Sequence, residues 1–290
     1  MKAIAAFPEG LEKEGANELI ELGATSVQIF VRSVSFEVDL PSFYRINIKS
    51  RLPFRIFRQI AKFPCNSPIS LYEGVQRACN WKQWLDPKQT FCVDVSGCSS
   101  SLRHSHFTAL QVKNAIIDLQ REIWGFRSSI NLKQPDVCIH LHLNNEFAAL
   151  SFSTTRRSLH RRGLRPVMGL APIKENLAAG LIRLTSWDKQ LPLVDPFCGS
   201  GTFLIEAASI AIGLPTNLSR SFLFFNWPDF NKSIWEEEKN CCNKPFDNLI
   251  KKPIIIGCED DQNIANQAQK NIALSNLEGI IKIQNSSFKD

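Results

Sequence analysis

The sequence of 290 residues predicts an α+β N-terminal region followed by an α/β domain with parallel strands. Two observations carry this prediction. Between residues 3 and 152, short strands of alternating apolar residues are mixed with amphipathic helices, which is typical of α+β domains. After residue 190, apolar runs alternate with helices in the order strand, glycine-rich turn, helix, strand, which is typical of a parallel sheet.

Composition narrows the class of protein. The 34 basic and 28 acidic residues give a net charge of +6, which is compatible with an anionic partner. The nine cysteines form no C-x-x-C pair, so we expect reduced thiols in a cytoplasmic protein without a metal site. No apolar stretch approaches the roughly 20 residues of a membrane span. The oligomeric state is not predicted.

Residues 1–60 predict a small subdomain of ferredoxin-like type. A strand at 3–7 precedes an amphipathic helix at 8–22, and two alternating segments around Arg32-Ser33 predict a hairpin. A second helix is predicted at 41–49. Its continuation carries three cations, which are interpreted as a solvated face or an RNA contact: Arg51, Arg55 and Arg58.

Residues 61–155 predict a second α+β domain with two layers. Helical patterns at 69–85 and 106–124 flank a strand at 91–95, and a hairpin at 137–152 turns at Asn144-Asn145. The domain carries basic residues at the start of and within its long helix, Arg103 and Lys113, which are candidates for RNA contact.

A basic linker is predicted at residues 156–171, between the two halves of the chain. It is too highly charged for a core, and arginine side chains bind phosphates in a bidentate manner. RNA backbone contact is therefore the favoured interpretation. The alternative is a linker whose arginines pair with acidic residues of the flanking domains. The candidate RNA-binding residues of this run are Arg156, Arg157, His160, Arg161, Arg162 and Arg165.

The most informative stretch is Leu191–Ala208. An apolar strand ends at Asp195, the glycines Gly199 and Gly201 form a tight turn, and an alanine-rich helix follows. The free N–H groups of a new helix attract an anionic or polar ligand. A dinucleotide fingerprint needs a third glycine where this chain has Leu204, so an NAD-dependent oxidoreductase is disfavoured. The acid at the strand end suits the cationic amine of S-adenosyl-L-methionine.

A second strand and a third follow at 253–257 and 280–283, separated by a helix at 263–275. Glu259 stands just after the second strand, where an acid accepts hydrogen bonds from ribose hydroxyls. The intervening aromatic-rich segment, 214–248, is interpreted as a lid or a helical insert.

Asp195-Pro-Phe-Cys-Gly-Ser-Gly-Thr202 resembles motif I of class I methyltransferases that modify exocyclic amines of nucleic-acid bases. The chain as a whole resembles THUMP-containing methyltransferases of bacterial large-subunit ribosomal RNA, of the guanine-N2 type. The resemblance implies a THUMP RNA-binding domain at 61–155 and a Rossmann-like methyltransferase domain at 172–290. It also implies that Pro172-x-Lys-Glu closes over the cofactor. The implied cofactor-binding residues are Asp195, Pro196, Cys198, Gly199, Ser200, Gly201, Thr202, Glu259, Lys174 and Glu175.

The chain departs from the family pattern at its end. The family's catalytic Asn-Pro-Pro-Tyr loop follows the fourth strand, whereas this sequence has no Pro-Pro pair and stops at Asp290. Ser287 also stands where the family has an acid near the adenine. We therefore expect an incomplete catalytic domain, unknown catalytic residues and no turnover by this chain alone. Two alternatives are a non-catalytic RNA-binding fragment and an adenine-N6 methyltransferase.

Overall fold

A computed structural model describes residues 1–144, 146–162, 173–243 and 253–287. The first elements are two helices packed on three strands, and the bounds agree with the predicted strand, helices and hairpin to within a few residues. Asp39 caps the second helix by accepting the N–H of Ser42 at 2.8 Å. These elements are β1 (Lys2–Ala6), α1 (Glu12–Glu21), β2 (Thr25–Phe30), β3 (Ser33–Glu37) and α2 (Leu40–Lys49).

The sequence suggested that the segment carrying Arg51, Arg55 and Arg58 continues the second helix. The structure instead has a ten-residue strand after α2, β4 (Arg55–Pro64). That expectation was wrong because Pro53 cannot continue a helix and disfavours helical angles at the residue before it. β4 pairs with β1 along one edge, and the predicted domain boundary at residue 60 lies inside the strand.

The second block completes a single eight-stranded sheet, because β4 also pairs with the last strand of this block. The predicted strands, long helix and hairpin are present, whereas the helical pattern at 69–85 is divided into two helices. The elements are α3 (Pro68–Arg77), α4 (Trp81–Trp84), β5 (Thr90–Gly97), α5 (Ser105–Trp124), β6 (Ser129–Ile130), β7 (Val137–Leu143) and β8 (Phe147–Ser153). The strand order is β2-β3-β1-β4-β8-β7-β5-β6.

The second half contains a three-stranded parallel sheet, as the sequence predicts, and its strand order is β11-β10-β9. Its core joins the helix after the motif I loop to the strands beside it. The elements are α6 (Glu175–Leu184), β9 (Leu193–Asp195), α7 (Thr202–Ala211), a 3₁₀ turn (Leu223–Asn226), α8 (Lys232–Cys242), β10 (Ile255–Glu259), α9 (Gln262–Leu274) and β11 (Ile281–Asn285).

The insert between α7 and β10 packs against α2 of the N-terminal region. The ring of Trp235 meets that of Tyr44 edge-on at 5.6 Å, and the Tyr44 ring lies 5.2 Å from that of Phe224. The Arg45 guanidinium forms a bidentate pair with Glu238 at 2.7 and 3.0 Å. Of the two predicted possibilities, lid or helical insert, the structure has a helical insert, and it ties the two halves of the chain together.

None of the helices within the described ranges has the length and apolar character needed to cross a bilayer.

Candidate functional site

The loop after β9 has the geometry that its glycines predict. Gly199 and Gly201 adopt φ values of 54° and 86°, a region that residues with a side chain rarely occupy. The N–H of Gly201 donates to the carbonyl of Cys198 at 2.9 Å, and α7 begins at the next residue, Thr202. The loop therefore delivers the chain directly into a helix N-terminus, where backbone N–H groups have no partner within the helix.

Neighbouring elements fix this loop in place. The N–H of Cys198 donates to the carbonyl of Cys258 at 2.9 Å, and the amide of Asn271 donates to the carbonyl of Ser200 at 3.1 Å. The N–H of Gly199 donates to the carboxylate of Glu259 at 3.0 Å. Glu259 therefore lies beside the motif I loop, although 60 residues separate the two in sequence.

The side chain of Cys198 packs inward from the loop and is buried. It lies against Gly257 of β10, where a Cβ atom would come within 2.9 Å of the Cys198 Sγ and 2.4 Å of Leu204 Cδ1. Thr202 and Ser200 are also buried. These three residues can thus reach a ligand through their backbone, while their side chains serve the packing of the loop.

Asp195 provides an unsatisfied acceptor at the end of β9. Its Oδ1 accepts the N–H of Phe197 at 3.1 Å, whereas Oδ2 is buried without a hydrogen-bond partner. Burial raises the pKa of this carboxyl above its usual range. A buried carboxylate oxygen with no donor is costly, so a cationic amine placed there would relieve the cost. The predicted role of Asp195 in holding the amino-acid end of S-adenosylmethionine fits this geometry.

Glu259 is held by two backbone donors. Its Oε2 accepts from Gly199, as described above, and its Oε1 accepts the N–H of Asp261 at 3.2 Å. An ionised carboxylate has about four acceptor positions, so two remain for the hydroxyls of a ribose. Asn285 of β11 closes the same corner by donating its amide to the carbonyl of Glu259 at 2.9 Å.

Lys174 and Glu175 lie where α6 approaches the N-terminal region. The Nζ of Lys174 is 5.4 Å from the centre of the Phe54 ring, and Glu175 is the first residue of α6. Burial lowers the pKa of nearby His160, an effect that the charge of Glu175 opposes. Pro172, predicted to open this helix, lies outside the described residues.

Arg162 does not form the RNA contact predicted for it. Its side chain is 1% exposed and forms an ion pair with Glu206 of α7, whose side chain is 2% exposed. The Arg162 guanidinium also donates to the carbonyl of Arg51 at 2.7 Å, and the Arg51 guanidinium reaches the same Glu206 carboxylate at 3.4 Å. Burial lowers the pKa of Arg51 to about 10 despite that partner. The sequence pattern does not indicate this pairing, because the acid that binds Arg162 lies 44 residues further along the chain.

Arg156 is also engaged within the protein. Its guanidinium donates to Oδ2 of Asp94 at 2.8 Å, and Arg55 reaches the same oxygen at 3.0 Å. The alternative predicted for the basic linker, pairing with acids of the flanking domains, therefore describes Arg156 and Arg162.

His160 lies at the same junction. Its Nδ1 is 2.7 Å from the hydroxyl of Ser158, and its ring meets that of Phe54 edge-on. Arg157 and Arg161 are exposed and remain candidates for RNA contact. Arg165 lies outside the described residues.

The two basic candidates of the second domain lie at its surface, although Lys113 is half-buried. Arg103 is exposed and donates its Nε to the carbonyl of Ser100 at 3.1 Å. Lys113 lies on α5 and lines a shallow cavity of about 470 Å³ together with Arg121 and Arg127. Both positions are compatible with contact to a phosphate backbone.

A buried thiol pair was not expected from the sequence. Cys92 and Cys138 face each other on β5 and β7, with their sulfur atoms 3.1 Å apart, and Asp94 lies next to them. The hydrogen bond with Cys92 and burial raise the pKa of Cys138, which keeps it protonated. Since two arginines occupy the Asp94 carboxylate, this cluster is a poor metal site.

Comparison with known families gives three successive matches along the chain. An RlmL ferredoxin-like domain matches residues 2–57, a THUMP domain matches residues 70–153, and an "RMKL-like, methyltransferase domain" matches residues 162–290. Together they agree with the order of domains that the resemblance implied.

Individual proteins match over the whole chain. A putative RNA methyltransferase of Synechocystis is 38% identical over 287 residues, which is 99% of this chain and 74% of that protein. The ribosomal RNA large subunit methyltransferase K/L of Cellvibrio japonicus is 36% identical, across 99% of this chain and 39% of its own length. The chain thus spans well under half of that K/L relative. The expected incompleteness of the catalytic domain is not confirmed by these matches.

A solved structure supports the cofactor. The putative methyltransferase SMU.472, determined in complex with S-adenosylhomocysteine (SAH), superposes with a TM-score of 0.87 at 27% identity, over 100% of this chain and 76% of that one. SAH is the product that S-adenosylmethionine leaves after giving up its methyl group. The motif I loop, Asp195 and Glu259 therefore lie in a fold known to hold this ligand in a related protein.

Proposed function

This chain belongs to the family of THUMP-containing, S-adenosylmethionine-dependent RNA methyltransferases, and on that basis we propose that it serves methyl transfer to an exocyclic amine of an RNA base. The favoured target is guanine N2 of 23S ribosomal RNA. The observation that carries the proposal is the unpartnered, buried Oδ2 of Asp195 beside the motif I loop. This acceptor suits the cationic amine of S-adenosylmethionine.

Residues of the motif I loop and of neighbouring elements contact different parts of the cofactor. S-adenosylmethionine supplies an electrophilic methyl group on a sulfonium centre. Asp195 holds the amine of the amino-acid end, and Glu259 accepts the ribose hydroxyls. Gly199 and Gly201 let the backbone approach the ligand without a Cβ in the way. Lys174 and Glu175 are proposed to border the methionine end from the start of α6.

RNA as the substrate is supported by the names of the relatives and by the THUMP match. The mild positive charge of +6 favours an anionic partner as well. Guanine N2 comes from the resemblance alone. Adenine N6 remains the second target.

Calorimetric titration with SAH tests the cofactor site. We expect Asp195→Asn to weaken SAH about tenfold to a hundredfold, because it removes a charge-assisted hydrogen bond. Glu259→Gln should also weaken it. Glu278→Gln is the matched control, since Glu278 is an exposed acid of the same domain. Wild-type affinity in the Asp195 variant, or binding of NAD in place of SAH, would overturn the proposed cofactor site.

Transfer of a labelled methyl group to 23S ribosomal RNA, followed by nucleoside analysis, tests the reaction. N2-methylguanine is the expected product, and N6-methyladenine would move the proposal to the second target. Retained SAH binding without any transfer of the labelled group would contradict the proposed reaction while leaving the proposed cofactor site standing.

A further inference from the structure

The eight-stranded sheet has one covered face and one open face. Along β1, Ala3 and Ala5 are fully buried in the core, whereas Lys2, Ile4 and Ala6 line a groove of about 770 Å³ on the opposite side. Residues from seven of the eight strands, β2 through β5 in sheet order, line this groove. At about 4.8 Å between strands, it crosses about 29 Å of sheet. We call it the open-face groove.

The charges of the open-face groove are of one sign. Three cations line it, Lys2, Arg32 and Lys62, and no carboxylate does among the described lining residues. The basic linker offers less than its sequence suggests, because Arg156 and Arg162 are paired with acids. The groove is therefore complementary to a polyanion.

Its lining contains aromatic rings beside aliphatic side chains. Phe30, at the tip of the β2–β3 hairpin, is 53% exposed, and Phe147 lies on β8, four strands away from β2 in the sheet. The Nζ of Lys62 lies 4.8 Å from the centre of the Phe147 ring. A ring and a cation side by side match a nucleotide, whose base stacks while its phosphate pairs with the charge.

Fixed rings on β4 and β7 also line the groove. The rings of Phe57 and His140 are stacked with their centres 4.3 Å apart. The hydroxyl of Ser96 is 3.0 Å from a ring nitrogen of His140 and 3.0 Å from one of His142. His142 is exposed, so a second ring edge borders the groove. Such fixed rings lose little conformational entropy when a base stacks on them.

We infer that the open-face groove binds an unpaired segment of the RNA substrate, with bases stacked on Phe30 and Phe147 and phosphates against Lys2, Arg32 and Lys62. This inference rests on the proposed RNA methyltransferase function. A single strand fits better than a duplex, because only unstacked bases can stack on side-chain rings. The width of the groove accommodates several nucleotides.

Fluorescence anisotropy with a labelled 12-nucleotide single-stranded RNA tests the inference. We expect Phe30→Ala and Phe147→Ala each to weaken binding about fivefold or more. Phe126→Ala is the matched control, because Phe126 lies outside the groove and is 50% exposed. Lys62→Ala should lower the slope of log K against log salt by about one, and the exposed Lys133→Ala should change affinity less.

Two further measurements keep the outcome clear. RNA containing 4-thiouridine should crosslink on irradiation to peptides that carry Phe30 or Phe147. Phe30→Ala should bind SAH like the wild type. Failure of the RNA-binding inference is therefore distinct from failure of the proposed function, because the latter would appear as absence of SAH binding in the wild type. Wild-type RNA affinity in both phenylalanine variants would overturn the inference. So would equally tight binding of a paired duplex, or a dimer that Phe30→Ala dissociates.

Discussion

The guanidinium of Arg162 and the carboxylate of Glu206 form a buried ion pair between the segment that follows the second domain and the helix of motif I. Arg51 of the N-terminal region binds the same carboxylate and also donates to the carbonyl of Ser209 at 3.0 Å. Glu18 lies next to this pair and accepts the N–H groups of Arg51 and Leu52 at 2.9 and 3.1 Å. The cofactor half of the chain is thus fastened to the N-terminal half through charges removed from water.

Replacement of Glu206 tests the importance of this junction. Glu206→Ala leaves two buried guanidinium groups without their carboxylate, so we expect a loss of about 3–5 kcal/mol in the free energy of unfolding. Denaturant titration followed by tryptophan fluorescence measures it. The control is Glu73→Ala, which breaks a pair with Arg77 whose side chains are 51% and 79% exposed. That change should cost less than about 1 kcal/mol. Equal effects of the two variants would contradict the assigned role.

Gly257 lets the motif I loop lie close to β10. A methyl group at this position would come within 2.4 Å of Leu204 Cδ1 and 2.9 Å of Cys198 Cβ, and such overpacking costs about 1–3 kcal/mol. We expect Gly257→Ala to displace the loop. The loss in the free energy of SAH binding should exceed the loss in the free energy of unfolding. Calorimetry and thermal unfolding of the same preparation separate the two effects. Unchanged SAH affinity would show that the loop tolerates the displacement.

Trp235 anchors the helical insert. It is buried and meets the rings of Tyr44 and Phe222 edge-on, each at 5.6 Å. Trp235→Ala should lower the free energy of unfolding by about 3–5 kcal/mol and expose the insert to limited proteolysis before the N-terminal sheet. The exposed Phe126→Ala provides a baseline for both measurements. Cleavage of the insert at the wild-type rate in the Trp235 variant would show that α8 docks by other contacts.

The features that the sequence predicted well are local ones. The motif I loop depends on eight consecutive residues, and two glycines at this spacing predict positive φ angles. Asp195, Gly199 and Gly201 could therefore be placed without a structure. Glu259 could be placed because the carboxyl ends of adjacent parallel strands meet at one edge.

The features that were missed depend on distant partners. β4 is a strand because β1 and β8 pair with its two edges, and its own residues do not exclude a charged, solvated segment. Arg162 is buried because Glu206 is buried with it, and a run of arginines gives no sign of which member has found an acid. The helical insert likewise shows its aromatic residues in sequence, but not the α2 surface on which they pack.

Titration of His140 should make the stability of the sheet depend on pH. Burial and the neighbouring His142 lower its pKa from 6.5 to about 4 in the folded protein. Because the unfolded chain binds this proton more readily, the contribution of His140 is present in full above pH 6.5 and is lost as the pH falls toward 4. The shift corresponds to roughly 3 kcal/mol. His140→Phe keeps a ring against Phe57 and removes the titration. Unfolding free energies measured between pH 4 and 7 should therefore fall less steeply for this variant than for the wild type, and parallel curves would contradict the assignment.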